Sequence, residues 1–265
     1  MKLGDRSIGR LLGAPFHAGH YRAALGMARS YPLSDLPANA RRYLTARGEY
    51  PYVCRVRTPS GTVAPTLYSS HDILTVNEIF CRGDYSCGRD LRVAVDVGAN
   101  IGISALYFLT RNSGARVYAF EPDPRNTERL RANLTAYADR YQLEEVALGT
   151  ADGTARFATD PYGRYGTLEY TEDTWYEPTF IDVRVRSING VLAEILERES
   201  EIDILKIDTE GLEEQLVEAL DDELLRRIRV IVYETNDPAP YHSARFRHSF
   251  ECQTNRLESL AAGRS

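Results

Sequence analysis

No apolar run in this 265-residue chain approaches the ~20 residues that a membrane-crossing helix needs. The opening stretch, MKLGDRSIGRLLGAPFHAGHYRAA, is broken by charges and histidines where a secretory leader requires an apolar block, so a soluble, cytoplasmic protein without a membrane partner is expected. Cysteine is sparse. Cys54, Cys81, Cys87 and Cys252 are spaced neither as a zinc ribbon nor as a C-x-x-C redox pair, and read as free thiols in a reducing compartment. A basic excess is also missing: 32 Lys and Arg stand against 38 Asp and Glu, for a net charge of -6, so there is no broad positive field to attract nucleic acid. No internal repeat or low-complexity segment occurs.

What is present suits one large α/β domain with an extension, since 43% hydrophobic content is ordinary for a globular chain of this length. Ile8, Leu11, Leu12, Ala24, Leu25 and Met27 suggest short amphipathic helices ahead of breaks at Pro32 and Pro37. Tyr52 to Arg57, the turn Pro59-Ser60-Gly61 and Thr62 to Tyr68 read as a hairpin. Thr75-Val76-Asn77-Glu78 has the capping-box pattern, which places a helix start just before Ile79. Residues 1–71 are therefore assigned to an N-terminal extension, 72–236 to the core, and 237–265 to a tail that completes the sheet edge or forms an interface.

Within the core, strands are expected at 93–97, 116–120, 142–147, 202–207 and 229–234, with helices at about 102–112, 124–138 and 211–220. Such alternation specifies a Rossmann-like, mostly parallel sheet with helices on both faces. A hairpin formed by Thr154–Thr159 and Phe180–Arg186 interrupts it after the third strand. Beyond the fifth strand, Arg245 to Cys252 is the sole strand-like run, which leaves the last sheet edge unassigned; a second subunit in a homo-oligomer is one way to cover it.

The chemistry concentrates in VAVDVGANIGISALYFL, Val93 to Leu109, and VYAFEPDP, Val117 to Pro124. An apolar strand carrying Asp96, a turn at Gly98-Ala99-Asn100-Ile101-Gly102, a helix and a second strand closed by Glu121 form a βαβ unit whose acidic tip suits ribose hydroxyls. The glycines there are read as letting backbone approach a ligand. In the dinucleotide pattern G-x-G-x-x-G, the second glycine clears a pyrophosphate; here Asn100 takes that place, and Gly102 comes one position before the third. That spacing favours a donor without phosphate, S-adenosylmethionine, whose amino-acid end an Asn100 amide can bond.

VDVGANIG, AFEPDP, VALGTADGTARF (Val146 to Phe157), IDILKIDTEGLE (Ile202 to Glu213) and IVYET (Ile231 to Thr235), with DILTVNEIFCRGDY (Asp72 to Tyr85) ahead of them, are similar to the FkbM family of S-adenosylmethionine-dependent methyltransferases. The resemblance covers roughly residues 72–236, and the K-I-D-x-E-G block is its most specific element. It implies a class I methyltransferase fold and methyl transfer, mostly to hydroxyl oxygens of sugars, polyketides and other secondary metabolites, so a small hydroxylated acceptor is the expected partner. The donor-binding candidates are Asp96, Gly98, Ala99, Asn100, Gly102, Glu121, Pro122 and Ala147. Tyr85 is a candidate for the donor's rim, where an aromatic face would attract a sulfonium, or for core packing.

Lys206 and Asp208 are spaced to share one side of the fourth strand's end, with Glu210-Gly211 opening the next helix. An alcohol must lose a proton as it is methylated, and Asp208 is the first candidate to accept it, Glu210 the second, with Lys206 orienting the carboxylate. Asp208, Glu234 and Asn236 form an alternative, less favoured set for a divalent cation. His242 and His248 lack zinc spacing. Tyr162, Tyr165, Tyr170, Trp175 and Tyr176, in the stretch from Pro161 to Pro178, suit either a lid over the acceptor or a Tyr-rich hairpin or dimer contact. Two other readings use the same opening unit: a nicotinamide-dependent oxidoreductase and a non-catalytic binding module. A nucleic-acid base methyltransferase is disfavoured, because no N/D-P-P-Y/F block ends the fourth strand.

Overall fold

The computed structural model describes residues 2–3, 6–7, 25–160, 166–168 and 178–261. Ile8, Leu11, Leu12 and Ala24 lie outside them, as do Tyr162, Tyr165, Tyr170, Trp175 and Tyr176 of the aromatic stretch. The chain forms two compact units, residues 1–86 and 87–265, so the boundary lies at 86/87 and the segment 72–86 belongs with the N-terminal unit.

In chain order the C-terminal unit contains β1 (Val93–Val97), α1 (Ile103–Leu109), β2 (Arg116–Phe120), α2 (Pro124–Asn133), β3 (Tyr141–Glu144), β4 (Ala147–Gly149), β5 (Gly153–Thr159), β6 (Gly166–Thr167) and β7 (Thr179–Ser187). It continues through α3 (Ile188–Arg198), β8 (Ile204–Ile207), α4 (Glu213–Glu218), α5 (Asp222–Leu225), β9 (Val230–Glu234), β10 (Phe246–Glu251) and β11 (Thr254–Ser259). The main sheet has the order β10-β11-β9-β8-β1-β2-β3. From β9 to β3 all neighbours run parallel, while β11 is antiparallel to both β9 and β10. This is the α/β class I methyltransferase topology.

Its centre is buried on both faces, which is why β1 reads as a continuous apolar run broken only by Asp96. Val93, Val95 and Val97 share one face with Leu205, Ile207, Ile231 and Tyr233, against the apolar stripe of α3, namely Ile188, Val191, Leu192, Ile195 and Leu196. That stripe has helical spacing and was open to reading, yet the expected elements omit α3. On the other face, Asp96 turns toward α1, where the Ser104 hydroxyl donates to it at 2.6 Å.

Three further departures from expectation have physical causes. The sheet edge is closed by the chain's own hairpin: β10 and β11 are joined at Cys252-Gln253, whose φ angles of 54° and 66° make the tight turn that matches strand twist. Neither residue is a usual turn former, and Arg256 and Glu258 mask β11 as a strand; the tail completes the sheet with β10 as its outermost strand. The expected third strand at 142–147 divides, with β3 staying in the main sheet and β4 leaving to pair in parallel with β7. β5 and β7 pair along their length as the expected inserted hairpin, and β6 extends it into a second sheet of order β4-β7-β5-β6.

In the N-terminal unit, residues 25–30 are helical, and Pro37 opens the helix Leu36–Thr45 rather than breaking one, as proline's fixed φ permits in a first turn. The hairpin is present as Val56–Thr58 with Gly61–Val63, extended by Tyr52–Val53 with Thr66–Leu67. The capping box does not form. The helix begins at Asp72, whose carboxylate accepts the N–H groups of Tyr68 at 2.5 Å and Ser69 at 3.0 Å, and continues through Thr75 into a wider turn at Asn77–Arg82. All four cysteines are free thiols. Among the described residues no helix is long and apolar enough to cross a membrane.

One long-range tie sets the alignment of β1 with β8. Asp203, just before β8, accepts the backbone N–H groups of Arg92 at 2.8 Å and Val93 at 2.9 Å with one carboxylate oxygen. Removing that acceptor leaves two strand-end donors without it, so Asp203→Ala should lower unfolding free energy by about 1–3 kcal/mol in urea titrations. An unchanged midpoint would show that water replaces the carboxylate without cost.

Candidate functional site

The turn after β1 is built by contacts within the chain. Gly98 has φ +75°, and a Cβ there would lie 1.8 Å from the carbonyl oxygen of Asp208, in the loop after β8. Gly102, at φ +85°, would push a Cβ to 2.9 Å from Leu130 Cγ on α2. These glycines therefore serve the approach of chain to chain. The N–H groups of Gly98 and Ala99 donate to the Phe120 carbonyl at 2.9 and 3.0 Å, fastening the turn to the end of β2. Asn100, at φ 48°, lends its N–H to Glu121 Oε2 at 2.8 Å, and its Oδ1 accepts from the N–H of Ile101.

Beneath this turn lies Lys206, one of only two lysines in the chain and 2% exposed. It is the register partner of Asp96 in the parallel ladder, so the two side chains share a face. Its Nζ is 3.1 Å from Asp96 Oδ1 and 3.5 Å from Asp208 Oδ2, and it donates to the carbonyls of Val97 at 3.1 Å and Gly98 at 2.6 Å. Burial alone would strip its proton; the carboxylates of Asp96 and Asp208 outweigh that and raise its pKa, so it stays charged. Asp96 is fully buried by these contacts.

Glu121 closes β2 at 5% exposure. Oε1 accepts the N–H of Asp123 at 2.9 Å, and Oε2 that of Asn100. Burial pushes its carboxyl up to about 7, against those two N–H donors, with the charge of Asp123 adding to the rise.

The Lys206-Ile207-Asp208-Thr209-Glu210-Gly211 block is shaped by a residue outside it. Glu213, buried at the start of α4, accepts the Thr209 N–H at 2.6 Å and hydroxyl at 3.2 Å with one oxygen, and the Gly211 N–H at 2.9 Å with the other. Glu210 is thereby held at φ 58°. Its carboxyl is pushed up to about 8 by crowding protein atoms and by Asp208, Glu213 and Glu234.

These loops line a cleft at the carboxyl ends of β1, β2 and β8, the crevice in which open α/β sheets bind ligands. Of the sequence-predicted residues, Gly98, Asn100, Glu121, Pro122, Ala147, Asp208 and Glu210 line it. Asp96, Ala99, Gly102 and Lys206 do not; they hold its floor from behind. Tyr85 is a buried member of the N-terminal unit. Unforeseen lining residues are Phe120, Asn126, Phe157, Leu168 and Leu212. Phe120 and Asn126 flank Glu121 closely enough to have been included, whereas Phe157 and Leu168 arrive from the inserted sheet with no local signal.

No group of three or more His, Cys, Asp or Glu among the described residues is arranged to hold a metal. Asn236, of the alternative cation set, accepts from Gln253 at 3.2 Å. His242 and His248 brace the C-terminal segment, with ring nitrogens at 2.7 Å from the Val217 carbonyl and 2.8 Å from Asn255 Oδ1.

A family model described as the methyltransferase FkbM domain matches residues 96–254. Among curated relatives, AMB antimetabolite synthetase AmbE of Pseudomonas aeruginosa is 32% identical over 61% of this chain and 9% of its own length. Methyltransferase sdnD of Sordaria araneosa is 27% identical over 55% of this chain and 66% of its own. The 31-O-demethyl-FK506 methyltransferase FkbM of Streptomyces tacrolimicus is 28% identical over 69% of this chain and 81% of its own. The chain thus spans a small fraction of the first of these relatives and just under two thirds of the second.

The raised Glu121 carboxyl has a measurable consequence. The folded state holds this proton more tightly than the unfolded chain, so between the ordinary value of 4.5 and about 7 the folded state gains protons and stability falls as pH rises. Glu121→Gln removes the titration. Its unfolding free energy relative to the parent should therefore increase by about 1–3 kcal/mol between about pH 5 and about pH 8 in urea titrations. The same difference at both pH values would refute the assignment.

Proposed function

Since the chain belongs to the FkbM methyltransferase family, we propose that it is an S-adenosylmethionine-dependent O-methyltransferase acting on a small hydroxylated acceptor such as a sugar, polyketide or other secondary metabolite. The observation that carries this reading is the charge of the cleft. Glu121, Asp208 and Glu210 line it, and none of its described lining residues is Lys, Arg or His. A pyrophosphate would meet carboxyl groups and no cation in the lining, which weighs against a nicotinamide dinucleotide; a cationic sulfonium suits the same surroundings.

The residues present fit such a donor. Glu121 is a buried carboxylate at the tip of β2, suited to ribose hydroxyls, with Pro122, Ala147 and Leu148 as apolar surfaces for a base and Asn100 near the turn for the amino-acid end. Bound there, S-adenosylmethionine supplies an electrophilic methyl group. The protein's part is to hold the acceptor hydroxyl in line and to take its proton. Asp208, 3.5 Å from the Lys206 ammonium and at the cleft wall, is the proposed base, and Lys206 fixes its direction. Glu210 stands beside it with a carboxyl near 8, so a contribution from it would appear as a rate that climbs with pH through that value. Relatives named as a 31-O-demethyl-FK506 methyltransferase and, over a short match, a 2-O-methyltransferase support oxygen as the atom methylated.

Isothermal titration with S-adenosylmethionine, and with NADH as the control, tests the donor. Binding of the first and not of the second is expected, and Glu121→Ala should weaken it by about tenfold or more, the loss of a charge-assisted pair of hydrogen bonds. Asp208→Asn should keep that affinity and lower turnover by about a hundredfold or more. A variant with full turnover would remove Asp208 as the base.

A further inference from the structure

The inserted sheet is tied to the donor-side carboxylate by a buried polar knot. Asp123, N-cap of α2 and 1% exposed, gives its N–H to Glu121 and accepts with its carboxylate from Arg125 N at 2.9 Å, Arg125 Nη2 at 2.7 Å and the Thr159 hydroxyl at 2.9 Å. The same Arg125 Nη2 donates to Thr159 Oγ1 at 2.8 Å and to the Asp160 carbonyl at 3.1 Å. Thr159 thus donates its one hydroxyl proton to Asp123 and accepts from Arg125, and it is 2% exposed. Burial works against the charge of Asp123, but the guanidinium and N–H of Arg125 hold its carboxyl below the ordinary range.

Thr159 joins this knot by its side chain and the inserted sheet by its backbone. It is the last residue of β5 and the ladder partner of Gly166 in β6. Two residues earlier, Phe157 lays its ring against Gly166 so closely that a Cβ there would come within 2.3 Å of the ring. Phe157 and Gly166 both line the cleft. A continuous chain of contacts therefore runs from Glu121 through Asp123 and Thr159 to the cleft wall opposite.

We propose that the Asp123–Arg125–Thr159 knot is a positioning device that fixes the Phe157–Gly166 wall against the nucleoside half of the methyl donor, making Arg125 and Thr159 positioning residues for donor binding. The inference rests on the proposed use of a nucleoside-bearing donor in this cleft. A small insertion core of Phe157 with Ala147, Val183 and Val185 would keep the sheet folded without the knot, but would not set its height over Glu121. The knot does so because the Asp123 and Thr159 side chains are buried and each of their bonds is short, while Arg125, whose side chain is 40% exposed, closes it from the rim with one guanidinium nitrogen shared among three acceptors.

S-adenosylhomocysteine is the probe, titrated calorimetrically into the full chain. Arg125→Met and Thr159→Val should each weaken it at least tenfold, and Thr159→Ser should restore it. The KM for S-adenosylmethionine should rise with kcat held within about threefold, as loss of ground-state binding requires. Phe157→Ala separates positioning from general loosening: combined with Arg125→Met it should cost no more than Phe157→Ala alone, because the knot acts through that ring. Additive losses, or variants that bind as the parent does, overturn the inference. Should Arg125→Met fail to fold, the Thr159→Val and Phe157→Ala pair gives the same cycle. A parent protein that does not bind the probe at all overturns the donor reading itself.

Discussion

The arrangement depends on one buried ammonium. Lys206 is taken out of water at the point where β1 and β8 both end, and such a charge is tolerated only where every proton has an acceptor. Two carboxylates and two carbonyls supply them. In a chain whose 32 basic residues include only two lysines, a compact ammonium occurs where a planar guanidinium would be too large for a gap between adjacent strands. The consequence is steric as well as electrostatic. By drawing the Val97 and Gly98 carbonyls toward β8, Lys206 brings the β1 turn so near the next loop that position 98 admits no side chain. The floor of the cleft is set by this closure before any ligand is considered.

Above that floor the balance of charge is reversed. Glu121 sits buried without a cation, and Glu210 is surrounded by three carboxylates. Both are less stable as anions here than in water, so the folded chain carries an electrostatic cost at neutral pH that a cationic or hydroxyl-rich ligand would relieve. Perturbed groups of this kind gather at functional clefts because the environment that strains them is the one that binds. Asp96, more deeply buried, is matched by Lys206 and Ser104. The contrast separates a carboxylate paired within the fold from two raised by burial and neighbouring carboxylates.

How much of this was legible follows the same division. β1, β2 and the paired inserted strands were readable because their burial is written locally, as β-branched runs or alternation between turns. β11 was not, since its strand character comes from pairing with β9 and its turn, Cys252-Gln253, adopts positive φ without glycine or asparagine. The capping box at Thr75 failed because the helix has already begun at Asp72, so the Thr75 N–H is spent on the His71 carbonyl. In the cleft, residues adjacent to a motif were found, but Asp96, assigned to the donor, meets Lys206 and Ser104 behind the lining. A sequence pattern places both at strand ends and cannot say which side of the turn each carboxylate takes.

The glycine turn shows what such a motif does and does not specify. Gly98 and Gly102 are required by Asp208 and Leu130, contacts that would be needed whatever small molecule occupied the cleft. Their spacing therefore reports how β1 meets β8 and α2, and discriminates between ligands only indirectly. Discrimination resides in the charges: a phosphate-bearing donor needs cations or free helix N–H groups, yet Gly98, Ala99 and Asn100 spend their N–H groups on Phe120 and Glu121. Those three N–H groups are thus engaged within the chain, and carboxyl groups face the space beyond them. The absence of a glycine at position 100 follows from that geometry, because Asn100 at φ 48° can secure the Ile101 N–H with its own side chain, as glycine could not.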